Sequence, residues 1–325
     1  MSRKFILSES SYDFKYRNIL SNIPNIEVIE GSYFSLLRLF LKKNTYYHIR
    51  YIKFRGYIRT FFRLAIIYLI AKISGNKVIW SCHNIYEHNI PSTRYNDIIR
   101  DLLCKYADNI IVFHRDILKY LPKRCHHKTT VASFGDFRDF IYSQTDINEK
   151  FQEKYTAWLT SLQISQPAVI SISAAKRNSL DLLFKVADLH CINVLAIAPN
   201  LGKKVNKSNN ILFYNDGFVK KEVAEILENS KQLIGFIGHD NISVPTSVYM
   251  YASFGIPIIA LNFKPTKTIV GDYKIGEVIA CSDEFFEAYQ KIINNYDEYY
   301  LNCKRFITAN SWEKSAEAHR KIFDN

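Results

Sequence analysis

The stretch Cys82-His83-Asn84-Ile85-Tyr86-Glu87-His88-Asn89 puts two imidazoles and a carboxylate within six residues. Imidazole titrates near neutrality, so this grouping suits proton transfer to or from a bound hydroxyl. It follows Lys77–Ser81 (KVIWS), a strand candidate, and open α/β sheets present reactive groups beyond the carboxyl ends of their strands. Metal binding and plain loop polarity are the competing uses. However, H-x-x-x-E-H matches no helical zinc signature, and no third ligand is evident. A second candidate lies at Pro245-Thr246-Ser247, which opens a helical run after the apolar strand Gln232–Gly238 and the polar loop His239–Val244. Gly255 ends that helix, and Ile256–Leu261 is the next strand. The first amides of a helix lack intrahelical partners and carry the positive end of its dipole, a setting for phosphate. Hydroxyl side chains there also serve simply as caps, so the spacing alone leaves both uses open.

These two segments sit within a regular alternation. In the first half, strands are expected at Lys4–Ser8, Ile26–Ile29, Tyr47–Phe54, Lys77–Ser81, Asn109–Phe113 and Lys128–Ala132. Helices are expected at Asp13–Ser21, Tyr57–Ser74, Ser92–Tyr106 and Asp116–Leu121. The polar stretch Gln144–Thr156 is the expected join. The alternation then restarts, with strands at Ala168–Ser173, Asn193–Ala198, Asn210–Tyr214 and Glu277–Ala280. Its helices are Ser179–Leu189, Val219–Ser230, Asp283–Asn295 and Ser311–Phe323. Two successive α/β alternations predict an α/β protein of two Rossmann-like domains, 1–150 and 151–325, facing a central cleft. The first strand lacks a G-x-G-x-x-G turn, so no dinucleotide site is expected there.

Composition narrows the partners. The chain has 325 residues, 48% apolar, enough for two cores. Of the net charge of +12, +10 falls in residues 1–80, and Gly31–Trp80 holds ten basic residues, twelve aromatics and no acid. Its apolar core, Leu64–Ala71, is fenced by Arg63 and Lys72 and is too short to span a bilayer, which takes about 20 residues. A basic, aromatic, acid-free surface suits anionic headgroups. Nucleic acid is the rival partner, but no nucleic-acid-binding signature is present. Six cysteines without C-x-x-C spacing and a charged amino terminus point to reduced thiols in a cytoplasmic protein, peripheral at the inner face of the cell membrane.

Several of these segments carry a resemblance. Gly75–Asn89 (GNKVIWSCHNIYEHN) resembles the G-K-V-W-T-H-N-x-x-P-H-E stretch of bacterial polysaccharide glycosyltransferases of the GT-B, family 4-like group. Ala107–Phe113 resembles their A-D-x-I-I-V strand. Ala252–Ala260 resembles the A-x-x-x-G-x-P-V-I-A run of their donor-sugar motif, and Ser173–Arg177 (SAAKR) their G-x-I-R-x-x-K turn.

The resemblance implies a metal-independent transferase without a cofactor, moving a sugar from a nucleotide-diphosphate donor to a lipid-linked glycan acceptor. It assigns catalysis to His83, Glu87 and His88. Lys176, Arg177, Tyr214, Pro245, Thr246 and Ser247 go to the donor, and Ser8, Glu9 and Asn84 to the acceptor. The sequence departs from the pattern in three places. Glu87-His88 inverts the order of P-H-E. Phe134 stands where relatives have a histidine. Ile242 and Met250 stand where the retaining family carries a glutamate pair. A non-catalytic partner of the same fold and a nucleotide-sugar epimerase are the alternatives.

Overall fold

The computed structural model describes residues 4–9, 13–50, 57–85, 94–143, 148–172, 180–198, 208–214, 221–238 and 242–324. Its contacts divide the chain into two units. One is Met1–Gly135 with Ile242–Val244 and Asn310–Asn325. The other is Asp136–Asn241 with Pro245–Ala309.

In the first unit the order is β1 (Lys4–Ser8), α1 (Phe14–Ser21), β2 (Ile26–Glu30), α2 (Tyr33–Leu39), β3 (Thr45–Ile49), α3 (Tyr57–Ser74) and β4 (Lys77–Cys82). Then follow α4 (Arg94–Tyr106), β5 (Asn109–Val112), α5 (Arg115–Leu118) and β6 (Thr129–Val131). The strands form one parallel sheet in the order β2-β1-β3-β4-β5-β6. Ile6, Leu7, Val78, Ile79 and Ile110–Val112 are buried, as the centre of a sheet covered on both faces requires. The chain runs from β1 out to β2 and back across to β3, so the strand order reverses between β1 and β3. Asn76 fixes the turn into β4. Its Oδ1 accepts from the Thr45 amide at 3.1 Å and its Nδ2 donates to the Phe40 and Lys42 carbonyls.

The second unit contains α6 (Arg138–Tyr142), α7 (Glu149–Leu162), β7 (Val169–Ile172), α8 (Leu180–His190), β8 (Val194–Ile197), β9 (Ile211–Tyr214), α9 (Lys221–Asn229) and β10 (Ile234–Ile237). It continues with α10 (Thr246–Ser253), β11 (Ile258–Leu261), α11 (Thr266–Asp272), β12 (Gly276–Ile279), α12 (Phe285–Asn294) and α13 (Tyr296–Ala309). Its parallel sheet has the order β12-β11-β10-β7-β8-β9. All four residues of β7, β8, β10 and β11 are buried. Here the order reverses between β7 and β10.

The division differs from the expected boundary at residue 150. Asn148, inside the expected join, caps α7 by accepting from the Phe151 amide at 3.1 Å, and α7 buries Phe151 and Trp158 within the second unit. The last helix, α14 (Trp312–Asp324), belongs to the first unit although it ends the chain. Its buried residues Ala316, His319, Ile322 and Phe323 recur at helical spacing. The Phe323 carbonyl accepts from Lys4 Nζ and Tyr46 Oη.

Candidate functional site

At the carboxyl ends of β1, β3 and β4 the first unit gathers a group of polar side chains around Tyr16 of α1. His83, just past β4, is partly exposed, and its Nε2 lies 3.0 Å from Tyr16 Oη. The imidazole stacks on Phe113 with ring centres 4.9 Å apart, and Phe113 stacks on Phe134 at 4.3 Å. Phe134, the departure from the resemblance, thus supports the ring behind His83. The backbone beyond His83 is pinned as well. The Ile85 amide donates to the Ile242 carbonyl at 3.1 Å, and Asn84 forms an antiparallel bridge with Ser243. Burial, then the positive charges of Lys15 and Arg50 and the neighbouring His319, hold His83 well below the usual imidazole range. It is therefore neutral at pH 7, the form in which an imidazole accepts a proton. The proton-accepting tautomer on Nδ1 is the one in which Nε2–H donates to Tyr16 Oη.

Three further residues join this group without any motif to announce them. His48 Nε2 lies 2.8 Å from Ser81 Oγ, and its ring meets Tyr16 edge to face. The Arg50 guanidinium stands over the Tyr16 ring at 5.1 Å and donates to Ser8 Oγ at 3.3 Å. His319 of α14 packs edge to face on the same ring. Ser8, expected at the acceptor, is only 1% exposed, so its hydroxyl serves Arg50 rather than solvent. Glu9 accepts from Tyr47 Oη and pairs with Arg63 at 3.2 Å. Glu87 and His88 lie outside the described residues.

His319 gives this group a pH signature. Nδ1–H donates to the Ser315 carbonyl at 2.7 Å, which fixes the tautomer, and the buried Nε2 has no hydrogen-bond partner among the described residues. Burial pushes the imidazole down to about 4, against a small opposing effect of the carbonyl. The unfolded chain then takes up a proton near pH 6.5 that the folded chain refuses, so stability is lost as pH falls from about 6.5 to about 4. At 1.36 kcal/mol per unit the loss from this residue is about 3 kcal/mol. We expect the urea midpoint to fall between pH 7.5 and pH 5, with a shallower fall in His319→Phe. An identical pH dependence in the variant would refute the assignment.

In the second unit the reversal between β7 and β10 marks the point where open α/β sheets bind ligands. The strands separate there: pairing is confined to Ile234 with Val169 and Gly235 with Ile170. Beyond it, Tyr251 of α10 takes over. Its Oη accepts from the Ile172 amide at 2.8 Å and donates to the Ile170 carbonyl at 3.3 Å. Of the two uses left open for this helix start, a side-chain cap is not observed. Pro245 occupies the cap position without a side-chain bond, and Thr246 and Ser247 are partly exposed at the first turn. Proline has no side-chain acceptor, so among the described residues the helix start keeps open amides and its positive dipole end. Tyr214, at the end of β9, is held by Asn148 Nδ2, which donates to its hydroxyl, and by the Phe151 ring at 4.5 Å. Lys176 and Arg177 follow β7 in sequence and lie outside the described residues.

No protein-family model matches this chain, and no curated protein sequence matches it. Solved structures do match. HepE of Anabaena, crystallised with UDP, is 9% identical over 99% of this chain and 98% of its own, with a TM-score of 0.67. A glycosyltransferase from Rickettsia africae is 12% identical over 99% and 98%, with a TM-score of 0.67. Sucrose-phosphate synthase of Thermosynechococcus elongatus is 11% identical over 100% and 98%, with a TM-score of 0.68. The expected architecture is thus observed: two six-stranded parallel sheets with helices in the GT-B fold.

Proposed function

We propose that this protein is a glycosyltransferase that takes a sugar from a nucleoside-diphosphate donor. The observation that carries the reading is the whole-chain likeness in fold to a glycosyltransferase from Rickettsia africae and to HepE crystallised with UDP and with UDP-glucose. The donor is assigned to the second unit. Its diphosphate meets the open amides of Thr246 and Ser247 at the start of α10, with Lys176 and Arg177 neutralising the charge that develops on the leaving nucleoside diphosphate. Tyr214 and Pro245 are also assigned to the donor. The donor role needs no metal in this reading, because the helix end and the two cations supply the stabilisation.

In an inverting displacement the acceptor hydroxyl oxygen bonds the anomeric carbon as the sugar–phosphate bond breaks, and the hydroxyl proton passes to His83. Glu87 and His88 are the alternative bases. Asn84 and Glu9 are assigned to the acceptor, a lipid-linked glycan at the anionic inner face of the membrane in polysaccharide synthesis. Ser8 contributes there through Arg50.

A thermal-shift series with UDP, GDP, CDP and dTDP in EDTA tests the donor half. One nucleotide is expected to raise the melting temperature with its concentration, by about 2.7 kcal/mol of added stability at a hundredfold excess over Kd. No shift with any of the four would overturn the donor site and favour a non-catalytic protein of this fold.

A further inference from the structure

Helix α3 carries an exposed apolar stripe. Ile58, Phe62, Ile66, Leu69 and Ile73 are all exposed, from 43% at Ile66 to 73% at Ile73. At about 100° per residue these five fall within an arc of about 80° on one side of the helix. Leu64, Ile67 and Ala71 are buried and fall on the opposite side. The outward stripe is therefore not an overflow of the core: the helix already spends a separate apolar face on packing. Arg59 and Lys72, both exposed, stand on its two rims. Exposed Phe34 of α2 lies next to Tyr33, whose ring sits under the Arg63 guanidinium of α3 at 6.0 Å. From residue 31 to residue 80 the chain holds no acidic side chain. No described helix is long and apolar enough to cross a membrane.

We infer that this face of α3 is where the protein lies on an anionic lipid surface, with the stripe in the acyl boundary and Arg59 and Lys72 at the headgroups. The inference rests on the proposed membrane-borne acceptor and names the surface that meets it. Charge selects the occupant. A two-fold contact between copies would set like cations against each other across the stripe, and a strip one side chain wide falls short of the ~800 Å² per partner of a stable interface. A bilayer with anionic headgroups accepts both the apolar strip and its rims.

The test is flotation of the full chain with vesicles of phosphatidylcholine and phosphatidylglycerol at about three to one, without donor or acceptor, against phosphatidylcholine alone. Binding is expected on the anionic vesicles and is expected to weaken in high salt. Phe62→Glu with Leu69→Glu should lower the vesicle-bound fraction at least about tenfold, with an unchanged melting temperature as befits exposed positions. The single variant Phe62→Trp should shift its indole emission to the blue on the same vesicles, a readout that survives if the double variant misfolds. Wild-type protein that stays in solution would sink both this inference and the membrane reading. Binding undiminished in the double variant, with unshifted emission from Phe62→Trp, would overturn the assigned face alone. A lipid-free dimer dispersed by the same two glutamate substitutions would overturn it in favour of a second copy. None of these outcomes touches the nucleotide series.

Discussion

His83→Ala is expected to lower turnover by about two to four powers of ten, the range over which a positioned general base contributes. The melting-temperature shift produced by nucleotide should persist, because the donor assignments lie in the other unit. His83 sits past the carboxyl end of β4, fixed on one side by Tyr16 Oη and behind by the Phe113–Phe134 stack. It remains partly exposed, whereas His48 and His319 of the same group are buried. The pH profile carries a second signature. Because burial and the neighbouring Lys15 and Arg50 hold the imidazole below its usual range, it stays unprotonated as pH falls through 6.5. The acid limb of kcat/KM should therefore lie below pH 6.5, not at it. Turnover within about threefold of wild type in His83→Ala would remove it as the base and turn attention to Glu87 and His88.

Gly235→Ala should cost about 2–4 kcal/mol, although it adds a single methyl group to a strand. A Cβ at this position would stand 2.5–2.8 Å from ring atoms of Tyr251. That ring cannot step aside. It is fully buried, and its hydroxyl completes the ladder between β7 and β10 by bonding the Ile172 amide and the Ile170 carbonyl. Moving it would strand the Ile172 amide and disturb α10, whose first turn is the proposed phosphate site. The cost should appear as a lower urea midpoint and as weaker nucleotide-induced stabilisation. In a Tyr251→Ala background the same glycine substitution should cost far less, because the two effects share one contact. Additive losses in that cycle would refute the steric account.

Much of the architecture was legible in the chain because parallel strands buried on both faces must be short, continuous apolar runs. Lys4–Ser8 and Tyr57–Ser74 emerge with the expected bounds, and the other expected strands and helices differ mainly at their ends, except that the expected strand Tyr47–Phe54 lies outside the described residues beyond residue 50. Helices α2, α6, α7, α11 and α13 are not among those the spacing predicts. Tyr33–Leu39 and Tyr296–Ala309 are rich in aromatics, whose helix propensity is weak, and only burial of Leu36, or of Tyr299, Cys303 and Phe306, commits them. On the site, the sequence by itself determined the chemistry-bearing types and their places after strands: His83 beyond β4, and Pro245, Thr246 and Ser247 at the start of α10. Only the tertiary structure decided what surrounds them. Tyr16, His48, Arg50 and His319 come from separate elements and meet because β1, β3 and β4 are neighbours and because α14 returns to pack on α1. Sequence spacing encodes which face of an element is apolar. It does not encode which distant element will cover that face, and that choice placed Tyr251 over Gly235 and left the stripe of α3 uncovered.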